Sequence, residues 1–221
     1  MEGFILDTIR QIVIQKLYMM PAILIAFTFH EYAHAIVADK LGDKTPKFQG
    51  RITLNPLAHI DLLGFIMIVF VGFGWAKPVE TNPNAYKNYY KDDLKVSIAG
   101  PLANVLVAFI FSFITVIIYK FVPFNEIVII IFTMVKYVVS INCMFFLFNL
   151  IPIPGLDGFH ILRDLFPKTF YNIADSLYKY QLLILIAIII PVFGNKSLAD
   201  FIIMVPADAI ANLFLKIALL I

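Results

Sequence analysis

Residues 96–119 form an unbroken run with no charged side chain. A stretch of about 20 apolar residues is long enough to cross the hydrocarbon core of a bilayer as an α-helix. A helix suits this environment because it satisfies its backbone polar groups internally. Charged residues make up only 14% of the 221 residues, against roughly 25% in an ordinary soluble domain. The sequence therefore predicts an integral membrane protein and excludes a soluble globular enzyme.

Further apolar stretches predict an all-α polytopic membrane protein with four to six membrane helices. They cover residues 17–38, 127–150, 176–193 and 198–221. Residues 1–16 are predicted to form an amphipathic helix at the membrane interface, because their apolar side chains recur at helical spacing. We interpret residues 1–221 as one integral-membrane domain. Its core is predicted at 17–165 and its C-terminal membrane helices at 166–221.

The apolar stretch 62–74 is too short to cross the membrane. A helix of thirteen residues rises about 20 Å, whereas the hydrocarbon core is about 30 Å thick. We predict that this stretch enters the membrane and returns on the same side. Strands are predicted at Lys47–Phe48, at Arg51–Leu54 and around residues 70–77, forming a small membrane-associated sheet.

Lysine and arginine are concentrated in two segments, 39–95 and 151–179. The opposite loops contain little more than Lys120 and Lys196. Because loops rich in these residues stay in the cytoplasm, both basic segments are predicted to face the cytoplasm. The net charge of +2 is small and the basic residues form no dense patch, so a nucleic-acid partner is not expected.

The predicted helix 17–38 contains the sequence His30-Glu31-Tyr-Ala-His34. Positions i and i+4 share one face of a helix, so both imidazoles can bind the same Zn²⁺, and Glu31 lies beside the metal as a general base. The pattern also arises by chance on charged helix faces of soluble proteins. That explanation is weak inside an apolar span, because buried carboxylate and imidazole groups need a partner, and a metal ion supplies one.

A catalytic zinc commonly has three protein ligands and one open position. Asp157 is the strongest candidate for the third ligand, because it follows a membrane span and a Pro-Gly turn that can direct a carboxylate inward. The alternative is that Asp157 caps the helix beginning at Gly158. His59 and His160 are rival ligands, although His59 lies in a polar loop and His160 can act from outside the ligand set.

Four residues are candidates for contact with a substrate. Asn149 precedes the Pro-Gly turn and Asn104 lies in the uncharged run. An amide can hold a substrate carbonyl or stabilise an oxyanion, but hydrogen bonding between membrane helices is the alternative role of both residues. Val71 and Phe73 lie in the predicted strand around 70–77, whose edge can bind an extended peptide.

Three motifs together resemble the site-2 protease family of intramembrane zinc metalloproteases. They are HEYAH at 30–34, AGPLAN at 99–104 and NLIPIPGLDG at 149–158. Their order and spacing match over roughly residues 20–165. The stretches GDKTPKFQGRITLNPLAHID and FGWAKPVETNP resemble the small bacterial branch without PDZ or nucleotide-sensing domains.

The resemblance implies a role for each residue of the predicted site. Zinc is expected to be bound by His30, His34 and Asp157. Glu31 is expected to activate water, and Asn149 to lie near the scissile bond. The implied substrate is a membrane protein that is cut within or near a transmembrane segment. From the distribution of the basic residues, the active site is expected toward the cytoplasmic side of the cell membrane.

Two other functions are compatible with the motifs. A metal transporter can use intramembrane histidine and carboxylate residues, but it has no need of Glu31 between two ligands. A catalytically idle relative would bind membrane proteins without cleaving them, which the complete HExxH motif and Asp157 disfavour. The sequence leaves the substrate, the regulator and the oligomeric state open.

Overall fold

Eight α-helices account for most of the computed structural model, which describes residues 2–72 and 74–221. In chain order they are α1 (Glu2–Leu41), α2 (Thr45–Phe48), α3 (Leu62–Val71), α4 (Tyr89–Phe121), α5 (Glu126–Asn149), α6 (Asp157–Leu165), α7 (Pro167–Ile189) and α8 (Val205–Ala218). A short antiparallel pair, β1 (Pro191–Phe193) and β2 (Lys196–Ser197), joins α7 to a π-helical turn that leads into α8. Single 3₁₀ turns lie at Pro56–Ala58 and Pro83–Ala85.

Five of the described helices are long and apolar enough to cross a membrane. They cover Leu6–Leu41, Tyr89–Phe121, Glu126–Asn149, Pro167–Ile189 and Asp200–Ala218. This number lies within the predicted four to six, and the all-α multi-pass architecture is confirmed.

The helix α1 runs without a break through the predicted boundary at residue 16. The interfacial stretch and the first span form one continuous helix of 40 residues, which is about 60 Å long. No turn-forming residues separate the two stretches. Pro21 lies inside the helix, and a membrane helix tolerates a proline because its surroundings satisfy the freed backbone group.

The strands predicted at Lys47–Phe48 and Arg51–Leu54 are wrong. Thr45–Phe48 forms the short helix α2 instead. Pro46 explains the difference, because proline is favourable in the first turn of a helix and cannot donate a hydrogen bond to a sheet. The sheet of β1 and β2 lies near the C-terminus, where no strand was predicted.

Capping interactions define both ends of α3. The Asp61 carboxylate accepts a hydrogen bond from the Gly64 N–H at 2.8 Å at the start of the helix. Gly72 ends the helix with a left-handed φ of 86°. The Lys16 ammonium of α1 donates to the Phe70 carbonyl at 2.9 Å, and a cation is favourable at a helix C-terminus. The helix α3 is therefore held against α1.

The chain that follows α3 returns to the residues that precede this helix. Ala76 pairs with Ile60 in an antiparallel bridge. A Cβ at Gly74 would lie 2.0 Å from the Gly64 carbonyl oxygen, so glycine allows the returning chain to pass close to the start of α3. The two ends of the segment are therefore paired, as expected if residues 62–74 do not cross the membrane, and their position relative to the membrane stays a prediction.

Helices α1, α4 and α5 form the tightly packed centre of the bundle. Ala22, Ala26 and Ala35 of α1 are fully buried, and small residues allow membrane helices to approach closely. The rings of Phe27 and Phe145 stack at a centroid distance of 5.2 Å between α1 and α5. This packing brings the HEYAH segment of α1 against the first half of α4 and places both beside the start of α6.

Candidate metal centre

Ligand atoms of His30, His34 and Asp157 converge on one point. The Nε2 atoms of His30 and His34 lie 3.1 Å apart. His30 Nε2 lies 3.1 Å from Asp157 Oδ2, and His34 Nε2 lies 3.2 Å from Asp157 Oδ1. Ligand atoms at about 2.0–2.1 Å from a tetrahedral zinc are separated by about 3.3 Å. The three side chains therefore have the spacing of a zinc ligand set.

The hydrogen bonds of the two imidazoles determine where their protons lie. His34 Nδ1 is 2.7 Å from the carbonyl oxygen of Val96, which can only accept, so the proton is on Nδ1. His30 Nδ1 lies 2.7 Å from Asn104 Oδ1 and donates in the same way. Both Nε2 lone pairs consequently face each other and the Asp157 carboxylate, whose Oδ2 has no hydrogen-bond partner among the described residues. Such a set of acceptors is stable around a cation, and it fits a divalent metal.

Asn104 connects the His30 imidazole to three helices. Its amide nitrogen donates to the Ala26 carbonyl at 3.1 Å and to Asn142 Oδ1 at 2.9 Å. Asn142 in turn donates to the Val138 carbonyl at 2.9 Å. Asn104 has no exposed surface, so its position favours orientation of His30 over the predicted contact with a substrate.

Gly100 allows α4 to approach both imidazoles. A Cβ at this position would lie 2.3 Å from His34 Nε2 and 2.7 Å from His30 Nε2. No side chain can occupy that space without displacing the histidines. The AGPLAN motif therefore contributes both the glycine against which the histidines pack and Asn104, which orients one of them.

Asp157 reaches the histidines from the first residue of α6. Leu156 is the N-cap residue of α6, and no side chain caps this helix. The Asp157 carboxylate instead faces the two imidazoles, which disfavours the capping alternative.

Glu31 lies beside this cluster and is held by two groups. Its Oε2 accepts a hydrogen bond from the Val79 N–H at 2.8 Å. The guanidinium of Arg51 lies 3.9 Å from the same oxygen. Arg51 is buried and also donates to the carbonyls of Ala58 and Lys77, which ties together the chain on either side of α3.

The role of Arg51 has no signal in the sequence. There Arg51 is one positive charge among several and the first residue of a predicted strand. A single arginine in a turn-rich stretch produces no periodic signal. Its spacing from Glu31 also reveals nothing, because the two residues meet only through the tertiary fold.

A cavity of about 550 Å³ opens beside the cluster. Its walls include Glu31, Val79, Asn149 and His160. A second cavity of about 220 Å³ adjoins it, is lined mainly by apolar groups such as Phe148, and shares Glu31 and Asn149 with the first. Glu31 is therefore reached both from a polar cavity and from an apolar one.

The rival ligands lie outside the group of three. His59 is fully buried, and its Nε2 donates to the Thr53 carbonyl at 2.7 Å. Burial lowers the pKa of His59, which favours its neutral form. His160 is exposed and lies at the wall of the larger cavity. Within the described part of the chain, neither histidine joins the ligand group of His30, His34 and Asp157.

The predicted substrate-pairing strand is not present at Val71. This residue is the last of α3, so its backbone is helical and offers no strand edge. An apolar segment in lipid satisfies its backbone groups most readily as a helix, which explains the difference. The other predicted pairing residue, Phe73, lies outside the described residues.

The fold and the site define a class of protein: a multi-pass membrane protein with an HExxH helix and a facing aspartate, as expected for a membrane-embedded metalloprotease. The sequence profile of Peptidase family M50 matches residues 18–129 and 117–193. The chain belongs to this family.

Named relatives agree with this membership. The chain is 37% identical over 185 residues to "Putative zinc metalloprotease YwhC" of Bacillus subtilis, covering 82% of this chain and 84% of that protein. It is 32% identical over 142 residues to "Putative zinc metalloprotease MJ0611" of Methanocaldococcus jannaschii, covering 62% and 64%. It is 25% identical over 197 residues to "Putative zinc metalloprotease Rip2" of Mycolicibacterium smegmatis, covering 86% and 74%. No solved structure matches the chain.

The predicted class of enzyme is thereby confirmed: the chain is an intramembrane zinc metalloprotease of the site-2 protease type. The comparisons give no support to a transporter or to a catalytically idle relative.

Proposed function

We propose that His30, His34 and Asp157 hold a single catalytic zinc and that Glu31 is the general base of peptide hydrolysis in membrane-protein substrates. The observation that carries this proposal is the convergence of three metal-binding side chains beside Glu31 at the end of a membrane helix. When bound, zinc polarises the scissile carbonyl and makes a water molecule more acidic. The remaining chemistry falls to side chains of this protein.

Glu31 is proposed to transfer the proton. Its carboxylate accepts a proton from the attacking water and delivers it to the leaving amine. The Val79 N–H and Arg51 hold this carboxylate and fix its orientation. Asn149 lines the same cavity, and its amide donates a hydrogen bond to the Phe145 carbonyl at 3.0 Å. The second N–H of this amide is proposed to hold the carbonyl of the scissile bond.

The substrate is proposed to approach from the apolar side. The smaller cavity beside Glu31 shares Gly74, Phe145 and Phe148 with a further apolar cavity of about 300 Å³. That cavity lies between α3, α5 and the two C-terminal membrane helices. An apolar transmembrane segment fits such a route, whereas a soluble peptide gains nothing from it. The polar cavity, rimmed by basic segments, is proposed to face the cytoplasm.

The substitution Glu31→Gln tests the general base. It keeps the size of the side chain and removes its basicity, so we expect zinc content to be retained and turnover of a single-span membrane substrate to fall at least about 100-fold. Metal analysis of the purified protein and a cleavage assay in detergent or liposomes measure the two effects. The matched control is Glu126→Gln. Glu126 is the first residue of α5, at the end of that helix away from Asn149, so this variant should behave as wild type. Near-normal cleavage by Glu31→Gln would exclude Glu31 as the base.

The substitution Asp157→Ala tests the ligand set. We expect it to lose zinc during dialysis against a weak chelator and to lose all cleavage, because two histidines alone bind zinc weakly. His160→Ala is the control. The His160 side chain lies on the same helix and lines the cavity, but it is outside the ligand group, so this variant should retain zinc. Retention of zinc by Asp157→Ala together with its loss from His160→Ala would show that the third ligand has been chosen wrongly.

A further inference from the structure

One face of α4 contacts both histidine ligands. Val96, Gly100 and Asn104 follow one another at intervals of four residues, so they lie on one face of the helix. The Val96 carbonyl binds His34, Gly100 packs against both imidazoles, and Asn104 binds His30. Two of the three proposed ligands are thus aligned directly by α4.

The third proposed ligand, Asp157, lies on a separate helix that packs against α4. It begins the nine-residue helix α6, directly after a turn in which Gly155 has a φ of 92°. No side chain caps the start of α6. The position of the Asp157 carboxylate therefore depends on how α6 as a whole is attached to the bundle.

Arg163 makes that attachment from the last turn of α6. Its guanidinium donates to the Asp93 carboxylate on α4 and lies over the ring of Tyr89 at 5.5 Å. It also donates to its neighbour Asp164 at 2.8 Å. Asp93 is buried, only 3% exposed, and lies three residues before Val96, on the same side of α4.

We propose that the ion pair between Asp93 and Arg163 is the positioning element for the third zinc ligand: it fixes α6 against the α4 face that already aligns His30 and His34. This inference rests on the proposed function of the site. A largely shielded guanidinium, with 13% of its side chain exposed, fixes distance and direction together when two carboxylates bind it, which an apolar contact between two helices does not. Arg163 is six residues from Asp157, about 9 Å along the helix, so it acts as a positioning residue through the helix.

Zinc affinity of the full-length protein in detergent micelles tests this proposal. Arg163→Gln keeps the apolar stem of the side chain and removes its charge, and Asp93→Asn removes the partner charge. We expect each to weaken zinc binding at least about tenfold, the effect of losing an outer partner of a metal ligand. The absorption spectrum of bound Co²⁺ should change as well, because the ligand geometry shifts. The double variant should lose little more than either single variant, since the two residues act as a pair.

The helix content and the thermal midpoint of each variant show whether a loss of zinc affinity comes from a shifted ligand or from a loss of folded protein. The matched control is Lys95→Ala, which breaks the neighbouring ion pair on α4 between the exposed Lys95 and the buried Asp92. It should leave zinc affinity unchanged. Folded Arg163→Gln or Asp93→Asn protein with wild-type zinc affinity and Co²⁺ spectrum would overturn the proposal. So would failure of both variants to fold, since the pair would then support the whole fold and not the ligand.

The outcome also distinguishes this inference from the function on which it rests. If the wild-type protein bound no zinc, or if Asp157→Ala bound it normally, the proposed site itself would fail. If the wild-type protein binds zinc through Asp157 and the two charge-removing variants bind it equally well, only the positioning role fails.

Discussion

At the scale of single residues, close packing decides whether the proposed ligands can meet. The imidazoles of His30 and His34 occupy space that any side chain at position 100 would need. Their orientation also depends on one backbone carbonyl and one buried amide. The proposed ligands thus depend on neighbours that have no metal chemistry of their own.

Gly100→Ala provides a direct test of this packing. The added methyl group would have to displace both histidines, and overpacking of a close-packed interior costs about 1–3 kcal/mol. We expect zinc affinity to fall at least about tenfold and cleavage to be lost, while the protein remains helical. Zinc competition with a chromophoric chelator measures the first effect. Leu102→Ala, on an exposed position of the same helix, is the control, and wild-type zinc affinity in Gly100→Ala would contradict the observed geometry.

At the scale of elements, the junction between α4 and α6 concentrates buried charge. Asp93 and Asp164 both contact Arg163, and the side chain of Asp164 is fully buried. Burial raises the pKa of Asp164 to about 6 against the opposing effect of Arg163, and the charge of Asp93 adds to the rise. The ionised form of Asp164 is therefore less favourable in the folded protein than in the unfolded chain.

This shift predicts a pH dependence of stability. The folded state keeps the Asp164 proton up to about pH 6, whereas the unfolded chain loses it near 3.8. Stability should therefore fall as the pH rises through this window and stay lower above it. The amide in Asp164→Asn does not titrate and can still accept a hydrogen bond from Arg163. The free energy of unfolding of this variant, relative to that of the wild-type protein, should therefore be larger at pH 8 than at pH 4. The expected gain is on the order of 1–3 kcal/mol.

Thermal unfolding in micelles at the two pH values measures this gain. For a chain of this size, 1 kcal/mol corresponds to about 2–4 °C in Tm. Asp175→Asn on the exposed side of α7 is a control that should show no such dependence. An equal difference between Asp164→Asn and wild type at both pH values would contradict the prediction.

At the scale of the whole molecule, the paired ends of the segment around α3 determine the topology. The Asp43 carboxylate accepts a hydrogen bond from the Asn82 N–H at 2.7 Å, so the chain before α3 and the chain after it are joined a second time. If the α3 segment starts and ends on the same side of the membrane, α4 crosses to the other side and α5 crosses back. Asp157 then lies on the same side as the histidines. A crossing by residues 62–74 would place Asp157 on the far side of the bilayer.

Labelling from each side of the membrane tests this topology. In a Cys143→Ser background, single cysteines at Lys44 and Lys87 report the two sides of α3, and both positions are exposed. We expect both to react with an impermeant reagent only from the cytoplasm. A cysteine at Lys196, between α7 and α8, should react only from outside. Reaction of the Lys44 and Lys87 positions on opposite faces would require that the proposed site be abandoned.

The sequence by itself was sufficient for the class of protein and for the identity of the proposed ligands. Long uncharged runs have one stable outcome in a bilayer, and the i, i+4 spacing of His30 and His34 places them on one helix face whatever surrounds them. The short length of 62–74 likewise predicted its return. These signals are local, because they depend on composition or on spacing within one helix.

Only the tertiary structure decided which residues support that site. The Val96 carbonyl and the Val79 N–H are backbone groups, which carry no side-chain identity to detect in a sequence. Arg51 and Arg163 are single charges whose partners lie far away along the chain. The predicted strands failed for a related reason: short polar stretches are compatible with turn, strand or helix, and packing selects one of them. Contacts between distant segments leave no period in the sequence, so they became visible only in the folded protein.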